Sequence, residues 1–296
     1  MDLNGSACGI CSSKEYVLLF KKRVGEITFE IVRCQNCGLV YTHPFPKYSE
    51  ERYNEYPTKR YLENEKAYYS FYRPILKEIL AFKKKGKFLE IGCSVGYLLK
   101  LAHNEGFKVN GTELSKNAVK ASNVLLGKGK VKYGYLENCC FPDNYFDVIA
   151  MNHVLEHIFD LSKTLRQIKK KLKDDGILFI GAPNFNNLIV KILKNRWKAL
   201  RVNEHIWHFK SGTIKKLLTK EGFQVIESKP IGPSIKNIFL AIRSMVKKES
   251  FLNQNLFHRL LIIQWNILYY LLNWVTGKIG YGDNMFIIAK KIIIRK

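Results

Sequence analysis

Three groups of residues in this chain have the types and spacing that chemistry needs. The first is Cys8-x-x-Cys11 and Cys34-x-x-Cys37, two short knuckles with 22 residues between them. Four thiolates so spaced suit one tetrahedral zinc ion and leave no open position, so the ion would be structural and not catalytic. Gly38 follows the last knuckle, while Cys93, Cys139 and Cys140 fall outside the pattern. The second group is Phe88-Leu89-Glu90-Ile91-Gly92-Cys93-Ser94-Val95-Gly96, an apolar strand that ends in an acid and a glycine-bracketed turn. Glycine lacks the Cβ that would keep a ligand away from backbone N–H groups, and such a turn before a helix favours an electron-rich group such as a carboxylate. Its spacing is not Gly-x-Gly-x-x-Gly, which turns the reading from NAD toward another nucleoside cofactor. Glu90 is placed to hold a ligand ammonium. Glu113, 21 positions after Gly92, stands near the spacing at which an acid reaches ribose hydroxyls; a plain surface acid is the competing reading.

The third group is the histidines. His153-x-x-Glu156-His157 matches the inverted zinc-protease pattern. It is set aside because it follows an apolar strand and the sequence offers no clear third ligand; Glu156 and His157 would otherwise cap and orient the next helix. His205 and His208 lie in Asn203-Glu204-His205-Ile206-Trp207-His208-Phe209. Either these histidines face a substrate, or Trp207 and Phe209 fill a core and the run is a packing motif.

Alternating elements must position these groups. Strands are expected at 88–92, 108–112, 131–134, 146–151, 177–182 and 223–228, with helices at 96–105, 115–126, 161–173 and 211–221. Asp160 and Ser211 read as N-caps and Gly176 as a C-terminal signal. An amphipathic helix over Glu63 to Lys83 carries Pro74, which would kink it. Strand–helix alternation implies a mostly parallel sheet with helices on both faces, and ligands in such sheets bind beyond the carboxyl ends of the strands.

The chain resembles class I S-adenosylmethionine-dependent methyltransferases over roughly residues 85 to 232 plus a closing strand. The resemblance rests on ordered motifs: Leu89 to Gly96, Gly111-Thr112-Glu113-Leu114-Ser115, Phe141 to Ile149, His153 to His157, Leu172 to Gly176, and Ala182-Pro183-Asn184. It implies a doubly wound, seven-stranded Rossmann-like α/β sheet. It also implies that the turn Gly92, Cys93, Ser94 and Gly96 holds the methionine part, with Glu90 beside it, and that Glu113 takes the ribose. Leu114 flanks the adenine, with Leu136 and Glu137 on its other side. Asn152 and His153 lie near the transferred methyl. Many relatives have an acid where this chain has Tyr135, so Glu137 is the substitute for the adenine amine. Ser94 stands where many have glycine, which requires a negative φ there or a rearranged turn. Similar enzymes place His-x-x-x-Phe before a helix like 211–221, and His205 to Phe209 fits; His205 is the first candidate to face the substrate and His208 the second. The sequence after the second knuckle resembles the zinc-bearing N-terminus of some small-molecule methyltransferases, including sugar C-methyltransferases.

Methyl transfer from a sulfonium releases a neutral thioether, so positioning the acceptor carries most of the catalysis. A hydroxyl acceptor gains from a base, for which His153, His157, His205 and His208 are the candidates. The expected organisation is a zinc module at 1–45, a helical linker or lid at 46–85 bearing Tyr53, Tyr56 and Tyr61, the methyltransferase domain at 86–233 and 279–296, and an apolar, basic helical insertion at 234–278.

Lys and Arg number 49 against 25 acids, for a net charge of +24. That excess is either a lysine-rich solvated surface or a face for nucleic acid, anionic membranes or acidic substrates. From Lys236 to Lys296 ten basic residues face two acids. Leu256 to Val275 is mostly apolar but interrupted by Arg259, Gln264, Asn266 and Asn273, which argues against a spanning helix and for one lying on an anionic membrane. A lid or dimer helix is the alternative. No apolar run follows a basic start in the first thirty residues, so a cytoplasmic protein, peripheral on the inner face of the membrane, is expected. The expected acceptor is a small or lipid-linked molecule, sugar or quinone-like. Methylation of RNA is the second reading, disfavoured because no Asn/Asp-Pro-Pro-Tyr/Phe motif follows the fourth strand, and a non-catalytic cofactor-binding protein is the third.

Overall fold

The computed structural model describes residues 7–46, 53, 56–186, 188–197, 199–231, 255–278 and 281–293. Its larger sheet has seven strands: β4 (Gly86–Ile91), β5 (Phe107–Glu113), β6 (Val131–Tyr133), β7 (Phe146–Asn152), β8 (Leu172–Pro183), β10 (Phe223–Ile231) and β11 (Asn284–Lys291). Their order is β10-β11-β8-β7-β4-β5-β6. β4 to β8 run parallel, while β11 is antiparallel to both β8 and β10. The order reverses at β4, whose neighbours are β5 on one side and β7 on the other. A reversal of this kind opens a crevice at the carboxyl end of the strand.

The strands read as near-continuous apolar runs because both faces of the sheet are covered. Adjacent residues go to opposite sides. Leu89, Ile149, Leu178 and Ile287 join one core, and Phe88, Val148, Phe179 and Phe286 join the other. The helices are α1 (Thr58–Glu63), α2 (Glu65–Leu80), α3 (Tyr97–Asn104), α4 (Lys116–Leu126), α5 (Leu161–Lys171), α6 (Leu188–Leu193), α7 (Ser211–Lys220) and α8 (Leu256–Lys278). Leu161, Leu165 and Ile168 of α5 and Ile214 and Leu217 of α7 pack into the first core, and Ile75, Ile79 and Leu99 of α2 and α3 into the second.

The smaller sheet is antiparallel, in the order β1-β2-β3-β9: β1 (Tyr16–Val24), β2 (Ile27–Cys34), β3 (Val40–His43) and β9 (Trp207–His208). Its last member comes from far along the chain, where Tyr41 pairs with Trp207 and Val40 with His208.

Several local expectations are corrected. Gly176 does not end a helix. α5 stops at Lys171 and β8 begins at once. The register against β7 then jumps from Phe146↔Leu172 to Val148↔Ile177. Gly176 sits in that bulge, where a Cβ would press on Leu172 and on the Lys173 carbonyl. Ser211 is not an N-cap but the first residue of α7; Lys210 precedes it and its N–H donates to Thr213 Oγ1 at 2.9 Å. Asp160 does cap α5, accepting from the Lys163 N–H at 2.8 Å. The helix read over 63–83 is α2 over 65–80, with Pro74 inside it, and α1 precedes it across Asn64. Residues 234–254 of the expected insertion lie outside the described residues. No helix among those described is long and apolar enough to cross a membrane.

Candidate active site

The turn after β4 is built as its glycines require. Gly92 and Gly96 take φ of +67° and +86°, which a side chain rarely adopts. Gly92 and Cys93 N–H both donate to the Thr112 carbonyl, at 2.8 and 3.1 Å, tying the turn to β5. Gly111 admits the turn from below, because a Cβ there would meet Cys93 Sγ and Leu99. Ser94 takes φ +52°, which excludes the negative φ, one of the two alternatives expected for it. Left-handed backbone costs an ordinary residue about 1–2 kcal/mol. Here the Ser94 N–H is turned onto Glu113 Oε2 at 2.8 Å, and a hydrogen bond to a carboxylate offsets a cost of that size.

Glu113 is buried and accepts twice more, from the Leu114 and Ser115 N–H at 2.7 and 2.9 Å. Burial raises its pKa, and these three N–H bonds oppose the rise. A carboxylate has about four acceptor positions, so capacity for a ligand hydroxyl remains. Glu90 is 2% exposed and its Oε2 has no hydrogen-bond partner. Burial, and then the charge of Glu113, push its pKa well above the usual carboxylate range. A ligand ammonium would answer that buried oxygen. Beside the turn, Tyr56, Tyr61, Tyr68 and Tyr97 form a ladder of near-parallel rings, with centroids 5.3, 4.4 and 6.0 Å apart.

Leu136 is buried on a short 3-10 turn. Glu137 beside it is exposed and pairs with Lys163 of α5 at 3.2 Å, so contact with adenine through Glu137 requires that pair to open. Asn152 ends β7 against Gly181 of β8, where a Cβ would collide with its Oδ1. His153 follows at φ +55°, a left-handed conformation worth noting in a non-glycine residue. Asn152 and His153 line a narrow cleft with Phe71, Ile75, Phe179 and Met285.

The histidines separate into two environments. His205 and His208 are each 4% exposed. Burial holds His205 well below the usual imidazole pKa and lowers His208 to about 3, so both are neutral. Thr42 Oγ1 donates to the His205 carbonyl at 2.8 Å and lies 2.9 Å from His208 Nε2. Its one proton is spent on the carbonyl, so His208 Nε2–H is the donor to Thr42. His205, in contrast, stands edge-on to His157 with centroids 4.7 Å apart. Side-chain donor atoms of Glu156, His157 and His205 lie within 4.8 Å of one another, a set that leaves out His153 of the 153–157 pattern. Trp207 Nε1–H donates to the Ile158 carbonyl at 2.6 Å and the Ile206 N–H to the Glu156 carbonyl at 2.9 Å, which brings the two segments together. Trp207 and Phe209 do fill the core. Thr42 was not singled out by its sequence, because its partners lie more than 160 positions away.

The sulfurs of Cys8, Cys11, Cys34 and Cys37 also lie within 4.8 Å of one another. The closest pairs are Cys8–Cys37 at 3.3 Å and Cys11–Cys34 at 3.5 Å, and all four thiols are free. Bonds of about 2.3 Å to a shared tetrahedral zinc ion place sulfurs about 3.8 Å apart, so the set fits such an ion after small movements.

Comparison with known proteins agrees with this geometry. A family model described as a methyltransferase domain matches residues 61–228. A ubiquinone biosynthesis O-methyltransferase of Pelagibacter ubique is 31% identical over 133 residues, 42% of this chain and 55% of that protein. The chain thus spans little more than half the length of this relative. Among solved structures, a SAM-dependent methyltransferase from Archaeoglobus fulgidus superposes with a TM-score of 0.52 at 22% identity, covering 78% of this chain and 99% of that one. Phosphoethanolamine N-methyltransferase 2 of Haemonchus contortus reaches 0.57 at 19% identity, covering 92% and 71%. These likenesses show the same fold.

Proposed function

The chain belongs to the methyltransferase-domain family and is an S-adenosylmethionine-dependent methyltransferase, and from that premise we propose that it methylates a hydroxyl group of a small or lipid-linked acceptor. The observation that carries this reading is the cleft at the end of β7. Its walls are mainly apolar, from Phe71, Ile75, Phe179, Ile231, Met285 and Phe286, its polar side chains are Asn152, His153 and Asn284, and at about 20 Å³ it must open to admit an acceptor. A ring or acyl-bearing acceptor matches such walls, and His153, whose Nδ1 lies 3.2 Å from Glu156 Oε1, is suited to its oxygen. The name of the Pelagibacter relative supports an oxygen acceptor.

In this reading the turn at Gly92–Gly96 holds the methionine part of the cofactor and Glu90 takes its ammonium. Glu113 takes the ribose hydroxyls, while Leu114 and Leu136 flank the adenine. The four-cysteine set holds a structural zinc ion. Helix α8 rests on an anionic membrane. Leu256, Leu260, Leu261, Trp265, Leu268, Leu271 and Leu272 of that helix are exposed, whereas Tyr269 is buried and reaches Asp283 at 3.3 Å. An exposed apolar face on a strongly basic chain has the character of an interfacial helix.

The test is a methyl-transfer assay with labelled S-adenosylmethionine against catechols, hydroxylated prenyl-quinone precursors, sugars and transfer RNA. Labelled methyl ether on a phenolic or lipid acceptor supports the proposal. Label confined to nitrogen, carbon or RNA overturns it.

A further inference from the structure

The cysteine hairpin reaches the histidines of 203–209 through one side chain. The Cys34 N–H donates to the Leu39 carbonyl at 2.9 Å and the Gly38 N–H to the Cys34 carbonyl at 3.1 Å, so the second knuckle turns directly into β3. The first knuckle lies on β9, because a Cβ on Gly9 would meet the Trp207 ring. Both knuckles are also tied to α7, where Lys216 Nζ donates to the Cys37 carbonyl at 2.9 Å and Lys220 Nζ to the Ile10 carbonyl at 2.5 Å. Cys8, Ile10, Cys34, Tyr41 and Trp207 share one core. Thr42, on β3, is buried against this core's edge strand. Its N–H donates to the Ile206 carbonyl at 2.9 Å. Its Oγ1 donates to the His205 carbonyl and accepts from His208 Nε2–H. One residue thus holds 205, 206 and 208 by three bonds. For filling a strand, valine serves as well as threonine, so what the hydroxyl adds is its two bonds to the histidines.

We infer that Thr42 is a positioning residue for the acceptor side of the site, and that the metal-bound cysteine hairpin, by fixing β3, sets where His205 and His208 stand. The inference rests on the reading of His205 as facing the acceptor, and deepens it. When bound, the zinc ion supplies a cross-link between the two knuckles, and β3 carries that constraint to the histidines. The cofactor turn lies outside this series of contacts: Gly92 and Cys93 are tied to Thr112, and Ser94 to Glu113. Loss of the metal therefore loosens 205–209 and leaves the cofactor turn in place.

The test uses the full chain loaded with zinc. Amide hydrogen exchange at 205–209 is followed before zinc is removed with dipicolinate, after removal and after reloading. It should quicken about tenfold or more on removal and recover on reloading, while the S-adenosylmethionine dissociation constant stays within threefold. Thr42→Val keeps the shape of the side chain and leaves His208 Nε2–H unanswered, whereas Thr42→Ser keeps the hydroxyl. By nuclear magnetic resonance, wild type and Thr42→Ser should show a slowly exchanging Nε2–H proton on His208, and folded Thr42→Val should not. With catechol as acceptor, Thr42→Val should lower kcat roughly 10- to 100-fold, since small misplacements cost that much, and Thr42→Ser should restore it. Circular dichroism and the S-adenosylmethionine affinity report whether the variants fold. Exchange at 205–209 that is the same with and without zinc overturns the inference, as does loss of S-adenosylmethionine binding on removal of zinc, or a slowly exchanging His208 proton that persists in folded Thr42→Val. These readouts need no acceptor, so they decide the inference whether or not catechol is turned over. The hydroxyl-acceptor reading fails separately, by label on nitrogen, carbon or RNA.

Discussion

Replacing Glu113 by Gln tests the cofactor site at its most connected residue. Its Oε1 accepts from Leu114 and Ser115 and its Oε2 from Ser94. A glutamine has one acceptor and one NH₂. The best orientation keeps the oxygen on Leu114 and Ser115 and turns the NH₂ toward the Ser94 N–H, so a charge-assisted bond becomes a meeting of two donors. Such a bond is worth about 1.5–3 kcal/mol. Ser94 then loses what holds it at φ +52°, and the turn relaxes away from the shape that receives the cofactor. At about 1.4 kcal/mol per tenfold, the dissociation constant for S-adenosylmethionine should rise roughly 10- to 150-fold, before any loss of ribose contact is added. Isothermal titration calorimetry with S-adenosylmethionine and S-adenosylhomocysteine measures it, with thermal unfolding as the control for global damage. A dissociation constant within threefold of wild type in the folded variant would refute both the role of Glu113 and the idea that its bond to Ser94 shapes the turn.

Three further outcomes follow from the same geometry. Glu90 has a raised pKa, so in the free enzyme it is protonated below that value, while the ligand ammonium favours the ionised form. Cofactor affinity should therefore strengthen as pH rises toward the α-amino pKa of about 7.7, by at most tenfold per unit, and Glu90→Gln should flatten the profile in calorimetry. His205→Ala should lower turnover more than tenfold while the cofactor dissociation constant stays within threefold; equal losses in both would sink the substrate-side role of His205. Gly181→Ala places a methyl against Asn152 Oδ1, so it should displace the end of β7 and weaken cofactor binding several-fold with little loss of helix content by circular dichroism.

Where burial is two-sided, the sequence was easy to read. β4, β7 and β8 carry apolar runs that no other arrangement accommodates, and the motifs at their ends fall at one edge of the sheet. What could not be read depends on partners remote in the chain. The conformation of Ser94 follows from an acceptor 19 positions later, and no propensity of serine announces it. His205 stands beside Glu156 and His157 only because Trp207 and Ile206 dock on Ile158 and Glu156. Gly176 was misread because a glycine after a lysine-rich helix has the same local pattern whether it ends the helix or opens a bulge.

The pairing of β3 with β9 has a consequence for how the chain is made. Val40 and Tyr41 emerge from the ribosome long before Trp207 and His208, their partners in the sheet. At about 5–20 residues per second, the interval is on the order of ten to thirty seconds. Throughout it, the cysteine hairpin presents an open strand edge and an unfilled apolar face around Tyr41, the surface on which unfinished chains pair wrongly. The strand that completes the hairpin also carries His208 and adjoins His205. A nascent chain that misses this late closure would hold a finished cofactor turn beside a scattered histidine cluster, so the yield of active enzyme should track the rate of translation and the supply of chaperones more closely than the yield of cofactor-binding protein does.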